Sequence, residues 1–178
     1  MKVIFCLLSL IIISFEGSSL FAQNRKLTVI LLRHAEKDTS SGASKSDPEL
    51  TAEGRQRAER LIETVKKYKP DLIYSTRYRR TKATVLPLAE TIDASYRIPI
   101  RIYNFDKLEE FAEEILQSKA RTIVVVGHNT TTPEMANLLI KQNKYKALDD
   151  AEYDKIWIVE IRRNRKKPHQ IREKVIKY

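Results

Sequence analysis

Two apolar runs constrain the fold of this chain more than any other feature. The runs "KLTVILL" (26–32) and "RTIVVVG" (121–127) are continuous and rich in β-branched residues. Such runs are typical of strands covered on both faces, as in the parallel sheets of α/β proteins. Segments with helical periodicity lie between them, and this alternation predicts an α/β fold. We expect a three-layer α/β/α sandwich with a mostly parallel central sheet.

The remaining segments fit this architecture. The helical pattern that follows the first strand spans residues 50–68, with Thr51 as its N-cap. Further strands are predicted at residues 71–75, 97–103, 155–161 and 170–178, and further helices at residues 78–91, 107–118 and 128–142. Pro87 is expected to kink or split its helix. The alternating pattern of the last two strands is typical of a hairpin or an edge position.

The first 22 residues have the pattern of a secretory signal peptide. Lys2 is followed by the apolar run "VIFCLLSLIIISF" (3–15) and then by small and polar residues ending at Ala22. The run is shorter than a membrane-spanning helix requires, and an uncleaved N-terminal anchor is the alternative. We expect residues 1–22 to be a signal peptide, residues 23–178 to form a single domain, and the protein to be exported, to the periplasm or the extracellular space.

The charge of the chain indicates an anionic partner. The formal net charge is +10, with basic clusters at residues 77–82 and 162–167. Aromatic residues are not interleaved with these cations as a base-stacking surface would need, so nucleic acid is not expected. A phosphorylated small molecule or phosphoprotein is the expected partner, with an anionic membrane surface or an envelope glycan as alternatives. The single cysteine, Cys6, lies in the predicted signal peptide, so neither a disulfide nor a thiolate site is expected in the mature chain.

Two of the three histidines stand directly after the two apolar runs. His34 follows the first run with Arg33 beside it, and His128 follows the second. If the two strands are parallel neighbours, both imidazoles lie at the carboxyl edge of the sheet, where ligands of such folds bind. A lone histidine there is more often structural, whereas two facing each other beside a cation indicate a site.

The motifs "LRHAEK", "LTAEGRQRA", "YSTRYRRTKAT" and "VVVGHNTT" occur in this order and resemble the histidine phosphatase superfamily, which is also called phosphoglycerate mutase-like. The resemblance spans residues 29–139. The short chain is similar to the small phosphatases of that superfamily rather than to its mutases. The resemblance implies a phosphoglycerate mutase-like fold and phosphate hydrolysis through a phosphohistidine intermediate, without a metal or another cofactor.

The resemblance also implies roles for single residues. His34 corresponds to the histidine that becomes phosphorylated, Arg33 to a phosphate-binding neighbour, and His128 to the second histidine of the site. The second phosphate-binding arginine corresponds to Arg80, although a shift of one residue would move this role to Arg79. These residue types suit the chemistry, because guanidinium groups bind the spread negative charge of a phosphoryl group. We also expect the guanidinium charges to keep His34 neutral for attack.

The general acid is the uncertain part of this site. An ester leaving group needs a proton, and the resemblance implies a carboxylate after the third strand. Asp106 is the candidate, with Glu109 behind it, although both could simply compensate the dipole of a helix start. Without such an acid, activated substrates such as phosphohistidine would be preferred. Glu36 is expected to orient its loop or to pair with a cation.

The sequence therefore predicts an exported phosphatase that hydrolyses a phosphomonoester or phosphohistidine through phospho-His34. The alternative from another class is a non-catalytic phosphate-binding or anion-binding module of the cell envelope. Mutase activity is a less favoured third reading. Specificity is expected to depend on the loop at residues 37–48 and on the segments at residues 103–106 and 145–153.

Overall fold

The computed structural model describes residues 26–91, 97–163 and 168–178. These residues form one mixed sheet of six strands and four α-helices. The strands are β1 (Lys26–Arg33), β2 (Leu72–Ser75), β3 (Ile100–Ile102), β4 (Thr122–Gly127), β5 (Lys155–Arg162) and β6 (Gln170–Lys177). The helices are α1 (Ala52–Val65), α2 (Arg79–Thr91), α3 (Leu108–Gln117) and α4 (Thr131–Ile140), and a short 3-10 helix (Lys66–Tyr68) follows α1.

The strand order is β3-β2-β4-β1-β5-β6, and the first four strands run parallel. The two apolar runs of the sequence form the central pair, β1 and β4, as their double burial requires. In their register Arg33 lies opposite Gly127. The loops that carry His34 and His128 therefore leave the sheet side by side, as predicted.

Helices cover both faces of the sheet, so the predicted three-layer sandwich is confirmed. On one face, α1 and α2 pack against alternate residues of the central strands, including Ile30 and Val124. On the other face, α3 and α4 pack against residues such as Leu31 and Val125. Because neighbouring residues of a strand point to opposite faces, the continuous apolar runs supply both cores at once.

The start of α1 is held against the loop that follows β1. The Oγ1 atom of Thr51 accepts a hydrogen bond from the Gly54 backbone at 3.0 Å, so Thr51 is the N-cap, as predicted. A Cβ atom at Gly54 would collide with the carbonyl oxygen of Glu36. Glycine at this position therefore lets the helix approach the backbone two residues beyond His34.

Several elements differ in extent from the predictions. The strand predicted at residues 97–103 is limited to Ile100–Ile102. Helix α2 runs through Pro87 as one helix and is not split there. The last two strands form the predicted hairpin, in which β6 is the edge strand.

Some predictions fall beyond the described residues. The predicted signal peptide lies wholly outside them, and residues 164–167 of the second basic cluster do as well. Of the described helices, none has the length and apolar character needed to cross a membrane.

Candidate active site

His34 lies at the carboxyl end of β1 and is almost completely buried, with 3% of its surface exposed. Its backbone N–H donates to the Gly127 carbonyl at 3.0 Å, which ties the loop to β4. Its Nδ1 atom lies 2.8 Å from the carbonyl oxygen of Ala35. A carbonyl oxygen only accepts hydrogen bonds, so Nδ1 carries the proton. The lone pair of a neutral His34 is therefore on Nε2, which suits it for nucleophilic attack.

The protonation state of His34 favours this nucleophilic form. Its pKa is lowered to about 3, mainly by burial; the hydrogen bond to the Ala35 carbonyl opposes this shift, and His128 and the positive charges of Arg33 and Arg80 add to it. The prediction that guanidinium charge keeps His34 neutral is corrected here, because burial is the larger cause. An imidazolium in this place would lose its hydration without gaining an anionic partner.

His128 faces His34 across the cleft between the two strand ends. The ring centroids lie 5.5 Å apart, with the rings inclined by 66°. The Nε2 atom of His128 lies 3.1 Å from Oγ1 of Thr76. Burial lowers the pKa of His128 to about 4, and the charges of Arg80 and Arg33 add to this effect. Both histidines are thus neutral in the ligand-free protein at neutral pH.

Arg33 is the most buried cation of the site, with 2% of its surface exposed. Its Nη1 atom donates to the backbone carbonyls of Asp149, Asp150 and Glu152 at 2.8 to 3.1 Å. Its guanidinium also stacks on the ring of Tyr153, 4.1 Å from the centroid. Arg33 therefore anchors this loop, a contact that the sequence did not predict, and its role in binding phosphate stays a prediction. Its Nε atom is buried without a hydrogen-bond partner.

Arg80 supplies the second set of donors. It lies in the first turn of α2, and its Nε and Nη1 atoms are buried without a hydrogen-bond partner. The nearest anion is Asp47, whose carboxylate is 3.6 Å from Nη1. Arg79, by contrast, is exposed and pairs with Glu49. The structure thus brings Arg80, rather than Arg79, to the histidines.

Buried donors without partners are rare in proteins and often mark the place of a missing ligand. The unpaired nitrogens of Arg33 and Arg80 belong to two arginines whose positive charges both act on His34 and His128. A phosphate group placed between them would accept hydrogen bonds from both guanidinium groups. The arrangement is therefore suited to bind a phosphoryl group beside Nε2 of His34.

Aromatic rings form the walls of this pocket. Tyr78 and Phe105 lie edge-on to His128, with centroid distances of 5.3 and 5.5 Å. Tyr153 lies 6.0 Å from His34, and Tyr78 also covers the Arg80 guanidinium at 4.3 Å. The sequence pointed to the segments around residues 103–106 and 145–153 but not to these rings. Tyr78 lies within the "YSTRYRRT" motif, which was the one available signal.

The predicted general acid does not contact this group of residues. Asp106 is exposed, and its backbone N–H donates to Oδ1 of Asn104. Glu109 is exposed in the first turn of α3. In the described part of the chain, neither carboxylate forms a hydrogen bond or ion pair with the two histidines or the two arginines. The role of Asp106 as general acid therefore stays a prediction.

Glu36 holds the loop in place, in agreement with its predicted role. Its carboxylate accepts hydrogen bonds from Nε and Nη2 of Arg57 on α1, at 2.6 to 3.0 Å. Burial is the largest single effect and opposes ionisation of Glu36, but the hydrogen bonds it accepts and the charges of Arg57 and Arg60 together lower the pKa of the carboxyl group. Glu36 is thus ionised and paired, which leaves no proton on it for a leaving group.

Within residues 26–91, 97–163 and 168–178, no group of three or more histidine, cysteine, aspartate or glutamate side chains is placed to hold a metal ion.

Comparison with known proteins supports the reading of this site. Residues 29–104 match the family model of the histidine phosphatase superfamily (branch 1). This range includes His34, Arg33 and Arg80, whereas His128 lies beyond it. A comparison with curated protein sequences gave no match.

Solved structures of phosphatases share the fold. A proposed phosphohistidine phosphatase SixA from Agrobacterium tumefaciens is 20% identical, with a TM-score of 0.58 over 84% of this chain and 97% of that chain. The protein histidine phosphatase SixA bound to tungstate is 10% identical, with a TM-score of 0.60 over 85% and 97%. A mycobacterial glucosyl-3-phosphoglycerate phosphatase is 16% identical, with a TM-score of 0.58 over 77% and 91%. The chain thus shares the phosphoglycerate mutase-like fold of these phosphatases, and residues 29–104 are similar to the histidine phosphatase superfamily.

Proposed function

We propose that this protein is a phosphatase that works through a phosphohistidine intermediate on His34. The observation that carries the proposal is the unprotonated Nε2 of a buried, neutral His34, held near guanidinium nitrogens of Arg33 and Arg80 that have no hydrogen-bond partner in the protein. A nucleophile next to vacant anion donors is what phosphoryl transfer requires.

The reaction would proceed in two displacements. In the first, Nε2 of His34 attacks phosphorus, and the bond from phosphorus to the leaving oxygen or nitrogen breaks. Arg33 and Arg80 bind the equatorial oxygens, where negative charge is spread in the transition state. In the second, water attacks the phosphorus on His34, the phosphorus–nitrogen bond breaks, and phosphate is released.

The position of the two predicted acids bears on the substrate, because neither Asp106 nor Glu109 forms a hydrogen bond or ion pair with the histidines and arginines of the site in the described residues. A poor leaving group requires a general acid, whereas phosphohistidine, an acyl phosphate or an aryl phosphate departs with little assistance. The aromatic walls formed by Tyr78, Phe105 and Tyr153 suit a planar leaving group. The structural relatives include proteins named phosphohistidine phosphatases. We therefore place phosphohistidine in a phosphoprotein, or an activated phosphomonoester, first among the substrates.

The place of action is also part of the proposal. The signal-like pattern of residues 1–22 supports export, and the net charge of +10 supports attraction of a phosphorylated partner. Fractionation of cells producing the full chain, with N-terminal sequencing of the product, tests export. Retention in the cytoplasm with an intact N-terminus would contradict it.

The test of the activity is turnover by purified protein on a panel of phosphohistidine peptide, p-nitrophenyl phosphate, phosphosugars and nucleotides. We expect hydrolysis of the activated substrates by the wild type and its abolition in His34→Asn. His169→Asn is the matched control, because it removes a histidine far along the chain from the motifs and should retain wild-type turnover. Turnover by His34→Asn equal to wild type would refute the proposal.

A second candidate function is a non-catalytic phosphate-binding module. The observation in its favour is that, within the described residues, Asp106 and Glu109 form no hydrogen bond or ion pair with the histidines and arginines of the site. Calorimetry with phosphate and vanadate separates the two functions when it is combined with the substrate panel. Tight anion binding without turnover on any substrate would favour the binding module.

A further inference from the structure

Behind His128 lies a chain of two buried hydroxyl groups that the mechanism above does not use. Thr76 and Thr81 are both fully buried. The Oγ1 atom of Thr76 lies 3.1 Å from Nε2 of His128 and 2.8 Å from Oγ1 of Thr81. The Oγ1 atom of Thr81 in turn lies 2.8 Å from the carbonyl oxygen of Tyr78 and 3.2 Å from that of Thr76.

The direction of each hydrogen bond follows from this geometry. A hydroxyl group has one proton to donate, and a carbonyl oxygen can only accept. Because Oγ1 of Thr81 is 2.8 Å from the Tyr78 carbonyl, its proton must lie in that contact to prevent repulsion between the two oxygens. Oγ1 of Thr81 therefore accepts the hydroxyl proton of Thr76. Because Thr76 has no second proton to donate, its Oγ1 atom must accept a hydrogen bond from Nε2 of His128.

We propose that Thr76 and Thr81 are positioning residues that hold His128 in the tautomer protonated at Nε2, so that its Nδ1 is an unprotonated acceptor in the pocket. The two histidines then have opposite tautomers. His34 carries its proton on Nδ1, toward the Ala35 carbonyl, and His128 carries its proton on Nε2, toward Thr76. No residue in the described ranges forms a hydrogen bond with Nδ1 of His128.

This tautomer allows His128 to transfer a proton during the reaction, and this part of the inference rests on the proposed function. A substrate phosphate with a second pKa near 6 carries a proton in its monoanionic form. That proton can move to Nδ1 of His128 when the phosphate enters. As the bond from phosphorus to the leaving atom breaks and the bond from phosphorus to Nε2 of His34 forms, Nδ1 returns the proton to the leaving atom. The electron pair of the broken bond stays with the leaving group.

The decisive measurement is the tautomeric state of His128 in the ligand-free protein, obtained from long-range 1H–15N correlation spectra at neutral pH. Spectra of His34→Asn and His169→Asn assign the three histidines. We expect His128 protonated at Nε2 and His34 protonated at Nδ1. A wild-type His128 protonated at Nδ1 would overturn the proposal, whatever the variants do.

Threonine variants supply the second measurement. Thr76→Val keeps the shape of the side chain but removes the acceptor, and should convert His128 to a mixture of tautomers. Because positioned proton transfer contributes about 10²-fold or more to a rate, kcat should fall by roughly tenfold or more with little change in KM. Thr76→Ser restores the hydroxyl group and should restore both the tautomer and kcat. An unchanged tautomer in folded Thr76→Val, or a failure of Thr76→Ser to rescue, would contradict the proposal.

The tautomer measurement needs no turnover, so the two proposals can fail separately. If the protein shows the predicted tautomers but hydrolyses none of the substrates, the phosphatase function is contradicted and the positioning role of the threonines is supported. If the protein hydrolyses the substrates but its His128 is protonated at Nδ1, the phosphatase function is supported and the positioning role is contradicted.

Discussion

His34 and His128 lie with their ring centroids 5.5 Å apart, and both are neutral in the ligand-free protein. Burial is the main reason. The two arginines beside the rings add positive charge, which disfavours protonation of either imidazole. The fold therefore maintains an uncharged nucleophile and an uncharged partner in a pocket that is otherwise positive. This arrangement attracts an anion and leaves the imidazole lone pairs available to react with it.

The first prediction concerns stability against acid. In the unfolded chain a histidine binds a proton below pH 6.5, whereas in the folded protein His34 and His128 do so only near pH 3 and 4. Between these limits the unfolded state binds more protons, so the free energy of unfolding must fall as the pH falls. Each histidine contributes about 1.4 kcal/mol per pH unit. Urea unfolding between pH 6.5 and 4.5 measures this slope.

His34→Gln removes one of the two titrating groups and should reduce the pH slope of stability by about 1.4 kcal/mol per unit. His169→Asn, outside the site, serves as the control and should keep the slope set by the buried pair. An equal slope in His34→Gln and the wild type would show that His34 is not held neutral.

The second prediction distinguishes two adjacent arginines. Arg80 has two buried nitrogens without a hydrogen-bond partner, whereas Arg79 is exposed and paired with Glu49. Removal of a donor aimed at transition-state charge typically costs about 10²- to 10³-fold in rate. We expect a loss of this size in kcat/KM for Arg80→Met, together with weaker inhibition by vanadate. Arg79→Met should remain within a few-fold of wild type, and a larger loss for Arg79→Met than for Arg80→Met would reverse the assignment.

The third prediction concerns the contact of α1 with the nucleophile loop. A methyl group at Gly54 would strike the carbonyl oxygen of Glu36, and backbone atoms cannot move aside cheaply. We expect Gly54→Ala to reduce the free energy of unfolding by about 1–3 kcal/mol and to lower kcat by displacing the residues next to His34. Gly42→Ala is the matched control, because nothing lies within 4 Å of its added methyl group. Denaturant unfolding of both variants decides the point, and equal stabilities would contradict it.

The fourth prediction concerns the ion pair between Glu36 and Arg57. The two side chains are only 14% and 11% exposed, so removal of one leaves a largely buried charge without its partner. We expect Glu36→Gln to cost about 1–3 kcal/mol of stability. Arg57→Met should reduce the free energy of unfolding less in the Glu36→Gln protein than in the wild type. A double-mutant cycle measures this difference. Additive effects would show that the pair does not stabilise the loop.

Much of this fold could be predicted because its signals are local. The two central strands were identifiable from continuous apolar runs, and the position of a histidine just after each run was enough to place both at one edge of the sheet. The choice of Arg80 came from the family resemblance, by counting from Tyr74 and Ser75, and the structure bears on it because Arg80 is part-buried beside the histidines whereas Arg79 is exposed.

The parts that could not be predicted depend on distant contacts. Arg33 is held by carbonyls more than 110 residues further along the chain, and no sequence pattern marks a backbone carbonyl as its partner. The main cause of the low pKa of His34 is burial, which depends on packing of the whole site rather than on its neighbours in sequence. The hydroxyl chain through Thr76 and Thr81 likewise depends on a helix turn that brings residues five positions apart together.

The central claim is that Nε2 of His34 forms a bond to phosphorus during turnover. The direct measurement is to mix the protein with a phosphohistidine peptide or p-nitrophenyl phosphate, quench it in alkali, and locate the phosphoryl group by mass spectrometry and 31P NMR. The account predicts an acid-labile phosphoryl group on Nε2 of His34, absent in His34→Asn and retained in His169→Asn. Turnover without any phosphorylated His34, or with the phosphoryl group on Nδ1 or on another residue, would contradict it.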